Sequence, residues 1–131
     1  MTALALRDKA AALPVVLQVP IYPAADRSTA YPSARLFAKG YGLDIEGIEK
    51  EDLYQADPKS WRYSAILADL AGVAPTVLVT ASLDPLRDEG RAFAAKLVEA
   101  GVPTLYYEAD GLIHGFATYR KAIPSAQDDT V

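Results

Sequence analysis

Asp84 and His114 are the two residues whose types and order could do chemistry together. Each stands in a segment that follows an apolar run. Asp84 stands in Ala81-Ser82-Leu83-Asp84-Pro85-Leu86-Arg87-Asp88-Glu89-Gly90, after Thr76-Val77-Leu78-Val79-Thr80. His114 stands in Asp110-Gly111-Leu112-Ile113-His114-Gly115-Phe116, after Thr104-Leu105-Tyr106-Tyr107. An imidazole oriented by a carboxylate is a general base for a serine hydroxyl. Where such a trio works at the edge of an α/β sheet, one chain order is serine, acid, histidine, so these residues offer the last two members. The first is not offered, because no Gly-x-Ser-x-Gly occurs in the sequence.

Plainer explanations compete for the same residues. An aspartate before Pro85 also suits a helix N-cap with proline at N1, and a lone histidine is commonly a surface residue. The glycines around His114 favour the chemical reading, since a loop of that kind exposes the imidazole while its apolar neighbours stay packed. Asp88 and Glu89 are accounted for as carboxylates in the first turn of a helix, where the macrodipole favours them, and are given no chemistry. Ser82 and Ser64 lack the setting of a strained strand-to-helix elbow and are set aside as nucleophiles.

The elements that must position this pair alternate like βαβ units. Thr2 to about Ala12 is rich in Ala and Leu and reads as the end of a helix stopped by Pro14. Val15-Val16-Leu17-Gln18-Val19 with Ile21 and Tyr22, closed by Pro20 and Pro23, suits a strand buried on both faces. Residues 24–58 carry no strand and form an excursion. Within it Ser33 to Lys39 suits one or two helical turns, and Asp44 can cap a helix with Ile45, Ile48 and Leu53 on its apolar side. Thr76 to Ala81 is the second strand. Leu86 to Ala100 is a helix with Leu86, Phe93, Ala94, Leu97 and Val98 on one face, ended by a left-handed cap at Gly101 with Pro103 beyond. Thr104 to Ala109 is the third strand. This rhythm implies parallel pairing with right-handed crossovers.

Composition narrows the classes of function. A length of 131 residues fits one domain or part of one. A net charge of −4 without a basic block argues against nucleic acid as a partner. No apolar stretch approaches the ~18 residues of a spanning helix, and the first residues lack a signal-peptide pattern, so the chain reads as soluble and cytoplasmic. With no cysteine and one histidine, disulfides, thiolate chemistry and a zinc site are not expected. A nucleotide-binding domain is disfavoured because no glycine-rich loop follows any of the three strands.

Taken together, Asp84-Pro85-Leu86-Arg87-Asp88-Glu89-Gly90, the helix ending at Glu99-Ala100-Gly101-Val102-Pro103, and Gly111-Leu112-Ile113-His114-Gly115-Phe116 resemble the C-terminal half of hormone-sensitive-lipase-type carboxylesterases. Ile21-Tyr22-Pro23 and Ala38-Lys39-Gly40-Tyr41-Gly42-Leu43 are also similar to that family. The resemblance covers about Leu4 to Pro124. It implies a partial α/β-hydrolase fold in a single partial domain over residues 1–131, with the last three parallel strands, crossover helices and part of a cap-like excursion. It implies a serine carboxylesterase acting on a small ester, with no cofactor, Asp84 and His114 as catalytic residues, and Leu86, Leu112 and Phe116 along the apolar approach. Trp61, Tyr41 and Tyr63 are expected to pack under the cap.

The family's nucleophilic serine and its oxyanion loop have no counterpart in these residues. Thr2-Ala3-Leu4-Ala5-Leu6-Arg7 resembles the latter part of the helix that starts at the nucleophile, and Ser125 with Asp128 signals a helix with about one turn before Val131. The expectation is therefore a fragment without its nucleophile-bearing half, inactive alone and prone to self-association through an open sheet edge. The alternatives are a non-catalytic remnant or interaction module, and a peptidase or dehalogenase of the same superfamily.

Overall fold

A computed structural model describes residues 2–8, 14–46, 57–119 and 121–122. Its centre is a parallel pair of strands, β1 (Thr76–Leu83) and β2 (Thr104–Ile113). Between them runs a helix over Arg87–Glu99, as parallel pairing requires a crossover. In chain order the helices are α1 (Thr2–Arg7), α2 (Pro32–Leu36), α3 (Arg87–Glu99) and α4 (Phe116–Tyr119), with a 3-10 turn at Ala65–Leu67. Residues 9–13, 48, 53, 125 and 128 lie outside the described residues, so the rest of the first helix, the apolar side expected after Ile45 and the terminal capping signature are not placed. Among the described residues no helix is long and apolar enough to cross a membrane.

The strands are in register from Thr76 opposite Thr104 to Ala81 opposite Ala109. The register then breaks, and Leu83 stands opposite Ile113. Two extra residues of β2 are absorbed there. Gly111 takes φ +69°, a backbone that glycine adopts without steric cost, and donates its N–H to Ser82 Oγ at 2.8 Å. Both strands thus run past the Ala81 and Ala109 ends read from the sequence.

The segment expected as the first strand runs parallel to the other side of β1, in two bridges, Gln18 to Thr76 and Ile21 to Val79. Its hydrogen bonds are Gln18 N–H to Pro75 O, Val77 N–H to Gln18 O, Val79 N–H to Pro20 O and Tyr22 N–H to Val79 O. The next donor in that ladder would be residue 20, and proline has no N–H to give. Burial on both faces is not observed. Val16 is 78% exposed and Leu17, Val19 and Ile21 are also exposed, and among the described residues this segment is bridged on one edge, to β1.

Helix α3 covers one face of the sheet. Phe93, Ala94 and Leu97 bury against Leu78, Leu70, Val73 and Val102, with Leu4 of α1 and Ala25 joining the same core. Val98, expected on that face, is exposed. The helix ends as its sequence suggests: Gly101 N–H bonds Val98 O at 2.9 Å and Val102 N–H bonds Leu97 O at 3.0 Å, the paired bonds of a Schellman motif. A second small core, formed by Ala81, Ala109, Leu112 and Phe116, lies under the strand exits.

Candidate active site

Because Leu83 and Ile113 are paired, the next residue of each chain emerges at the same edge, and those residues are Asp84 and His114. Pro85 disfavours helical backbone at Asp84, so the chain leaves the strand extended before turning into α3. The Asp84 carbonyl accepts Arg87 N–H at 3.1 Å. Its side chain is buried, and both carboxylate oxygens are engaged: Oδ1 accepts Leu86 N–H at 2.8 Å, and Oδ2 lies 2.8 Å from His114 Nδ1. Asp84 therefore turns the chain into the helix and meets the imidazole at once. The N-cap position of α3 falls on Leu86, which has no side-chain cap bond.

The His114 side chain is 19% exposed. A carboxylate only accepts, so a neutral imidazole making the Nδ1–Oδ2 contact carries its proton on Nδ1 and leaves Nε2 with its lone pair. His114 N–H bonds Tyr41 O at 3.2 Å. Gly42 comes close behind: a Cβ there would lie 2.5 Å from His114 O. The Tyr22 ring lies against the imidazole, with centroids 4.6 Å apart and planes at 57°.

The excursion is fastened to α3 beside this pair. Ser33 in α2 is fully buried. Its N–H donates to Asp88 Oδ2 at 2.9 Å, its Oγ accepts Asp88 N–H at 3.1 Å, and its hydroxyl donates to Pro85 O at 2.8 Å. A residue 55 positions away thus caps the helix start that Leu86 leaves uncapped. The Arg87 guanidinium lies 5.1 Å from the Phe37 ring centroid, and Phe37 meets Tyr41 edge-on at 5.0 Å. Asp88 is partly buried, which disfavours its charge, yet Arg87, the Ser33 N–H and Arg91 together hold its carboxyl below the ordinary range.

Glu89, in the same turn, behaves oppositely. Burial pushes its carboxyl up to about 7, against the Ala25 N–H that it accepts at 2.7 Å. Beside it, burial and the hydrogen bond to Asp26 push the Tyr31 hydroxyl up to about 12.

Leu86, Leu112 and Phe116 are 5%, 3% and 1% exposed, with Leu112 and Phe116 in the small core beneath His114. Ser82 Oγ is occupied by the Gly111 N–H. Ser64 is buried, donating to Pro58 O and accepting from Arg27 N–H. Trp61 packs against the main core, with the Arg62 guanidinium 4.6 Å from its ring centroid. Among the described residues no three of His, Asp or Glu converge as a metal site would need. Sequence reasoning missed the site roles of Tyr22, Ser33 and Gly42. The one usable signal was Gly42 itself, since a glycine can mark positive φ or a close backbone approach, and here it has both.

Comparison with known proteins gives a consistent result. A family model described as alpha/beta hydrolase fold matches residues 1–118. The chain is 36% identical over 121 residues to an arylesterase of Saccharolobus solfataricus, covering 88% of this chain and 39% of that protein. It is 34% identical over 122 residues to an ethyl acetate hydrolase of Pseudomonas putida, covering 88% and 38%. Among solved structures, an ester hydrolase from the metagenome of Lake Arreo superposes with a TM-score of 0.87 at 37% identity, over 97% of this chain and 42% of that one. A thermostable esterase from Pseudomonas putida superposes with a TM-score of 0.84 at 30% identity, over 98% and 43%. The chain spans about two fifths of the length of these relatives.

Proposed function

The chain belongs to the α/β-hydrolase fold family, and on that premise we propose that Asp84 and His114 are the acid and the base of a serine triad that hydrolyses carboxylic esters. The observation that carries this reading is the 2.8 Å contact between His114 Nδ1 and Asp84 Oδ2, made where two parallel strands end side by side. Names of the relatives such as arylesterase and ethyl acetate hydrolase support an ester as the substrate class.

In this mechanism His114 Nε2 takes the proton of a serine hydroxyl as its oxygen attacks the ester carbonyl. The resulting tetrahedral anion collapses, the C–O bond to the alcohol breaks, and Nε2 returns the proton to the leaving alkoxide. Water repeats the sequence on the acyl-serine and releases the acid. Asp84 keeps the proton on Nδ1 and stabilises the imidazolium formed in each half. Leu86, Leu112 and Phe116 remain our candidates for the apolar approach, and the place of Leu112 and Phe116 in the small core supports their backing the histidine loop. The 131 residues contain no Gly-x-Ser-x-Gly, so the reading requires a serine and oxyanion donors from polypeptide outside them. The same observation favours a second reading, in which these residues form a non-catalytic α/β module that keeps the acid–histidine pair by descent.

A hybrid separates the two readings. Residues 1–118 replace the matching segment of the Saccharolobus solfataricus arylesterase, and p-nitrophenyl acetate hydrolysis is compared with the same hybrid carrying His114→Ala. Turnover that depends on His114 is expected. A hybrid that melts cooperatively yet shows no such dependence would leave the non-catalytic module as the answer.

A further inference from the structure

Tyr22 is the one non-glycine residue with positive φ among the described residues, at +38°. Left-handed backbone is unfavourable for an L-residue with a Cβ, and strain of this kind persists where the surroundings over-determine it. Tyr22 is held from both ends. Its N–H bonds Val79 O at 2.6 Å, inside β1, and its ring contacts both the His114 imidazole, at 4.6 Å, and the Phe116 ring, at 5.6 Å. The backbone turn and the ring contact go together: the chain leaves the edge of β1 at Tyr22, and the left-handed residue coincides with a ring directed at the histidine.

The mechanism above leaves this contact without a role, yet the imidazole needs it. Asp84 Oδ2 holds a single ring atom, Nδ1. Tyr41 O and Gly42 fix the histidine's main chain. Neither blocks rotation of the ring about its Cβ–Cγ bond, which would break the Nδ1–Oδ2 contact and swing Nε2 away. A second ring packed against the imidazole hinders that rotation. The Tyr22 ring makes such a contact, tilted by 57° with centroids 4.6 Å apart.

We propose that Tyr22 is a positioning residue for His114: its strained backbone turns an aromatic wall against the imidazole, fixing the plane in which Nε2 faces the nucleophile. The wall is the ring itself, so the phenol oxygen is dispensable and phenylalanine should serve. The inference rests on the reading of His114 as the base.

His114 is the only histidine in the chain, which allows a test independent of turnover. The full chain is labelled with 15N-histidine and studied by magic-angle-spinning NMR, which does not require a monomer, at a pH well above the ordinary imidazole range. The unsubstituted chain and Tyr22→Phe should show one protonated nitrogen, Nδ1, and one bare Nε2. Tyr22→Asn, which tolerates the left-handed backbone but lacks the wall, should show a second population protonated on Nε2. In the hybrid enzyme, Tyr22→Asn should lower kcat by on the order of 100-fold through misplacement of the base. KM should change little, and Tyr22→Phe should be close to unaltered.

An unsubstituted chain protonated on Nε2 would remove the acid–base reading itself. Protonated Nδ1 in the unsubstituted chain with an unchanged Tyr22→Asn spectrum would overturn the role of Tyr22 alone. Tyr22→Gly, whose backbone accepts φ +38° freely, carries the same test if the asparagine variant does not fold. Loss of fold in both variants counts against the proposal, because it makes Tyr22 a residue of the core.

Discussion

Leu83 and Ile113 face each other across a break in strand register, and that pairing makes Asp84 and His114 neighbours. Without the break, β2 would reach the edge out of step with β1 and His114 would leave the sheet elsewhere. Gly111 makes the break possible at φ +69°, and a Cβ there would meet nothing within 4 Å. Gly111→Ala should therefore cost about 1–2 kcal/mol for conformational reasons alone, read as a lower thermal midpoint. Gly111→Val should cost more. An alanine variant as stable as the parent would show that the break does not depend on glycine.

In the hybrid enzyme, His114→Ala should abolish ester hydrolysis. Asp84→Asn should reduce kcat by roughly 10⁴, the penalty expected when a triad imidazole loses its orienting carboxylate. Rates within tenfold of the parent for either variant, with melting unchanged, would exclude the assigned roles.

Ser33→Ala removes the hydroxyl that accepts Asp88 N–H and donates to Pro85 O. Both partners stay buried or partly buried, so a loss of about 1–2 kcal/mol is expected in urea unfolding. Ser33→Thr keeps the oxygen and should lose less, unless its methyl group cannot be fitted at this fully buried position.

Glu89 gives stability a pH dependence of definite sign. Its carboxyl is pushed up from 4.5 to about 7, so the folded state holds this proton more tightly than the unfolded chain does. The contribution is complete below about pH 4.5 and is lost as pH rises through 7. The loss is on the order of 3 kcal/mol at most. Asp88 and Glu108, held low, act in the opposite sense and in a more acid range. Glu89→Gln, which can still accept from Ala25 N–H, should flatten urea stability between pH 5 and pH 8 and raise it at the upper end. An unchanged slope would mean that Glu89 titrates normally.

Residues 1–131 alone should not hydrolyse p-nitrophenyl acetate above the level of a His114→Ala control, and should self-associate. Val16, Leu17, Val19 and Ile21 expose apolar surface along a segment that, among the described residues, is bridged on one edge, a template for a second chain. Val16→Lys with Val19→Lys should shift sedimentation velocity profiles toward monomer. A monomeric parent chain would remove the argument.

The sequence carried two of the three expected strands, the crossover helix and its glycine stop, because each depends on local periodicity or a local φ; the Val15 to Tyr22 segment forms two isolated bridges instead. It also carried the strand exits at Asp84 and His114. Strand lengths were read short, since Asp110 and Gly111 look like a turn, and only the partner strand reveals them as an irregularity within a longer one. The burial of Val15 to Tyr22 was misjudged for a similar reason. Apolar content says what a strand could bury, whereas the chain packed beside it decides what it does bury. Ser33 capping a helix 55 residues away and Tyr22 facing His114 are non-local contacts, so no window of neighbouring residues contains them.

The groups that order the imidazole, Tyr22, Tyr41 and Asp84, all lie in the segment between residues 22 and 114. On the reading proposed above, the acid–base half of the site draws its ordering contacts from within that segment. A two-piece reporter built on that division, with the serine on one polypeptide and these residues on the other, would need no rearrangement of its histidine on docking. Its signal would follow the encounter of the pieces, which makes the open edge of residues 15–22, rather than the chemistry, the place to tune its speed.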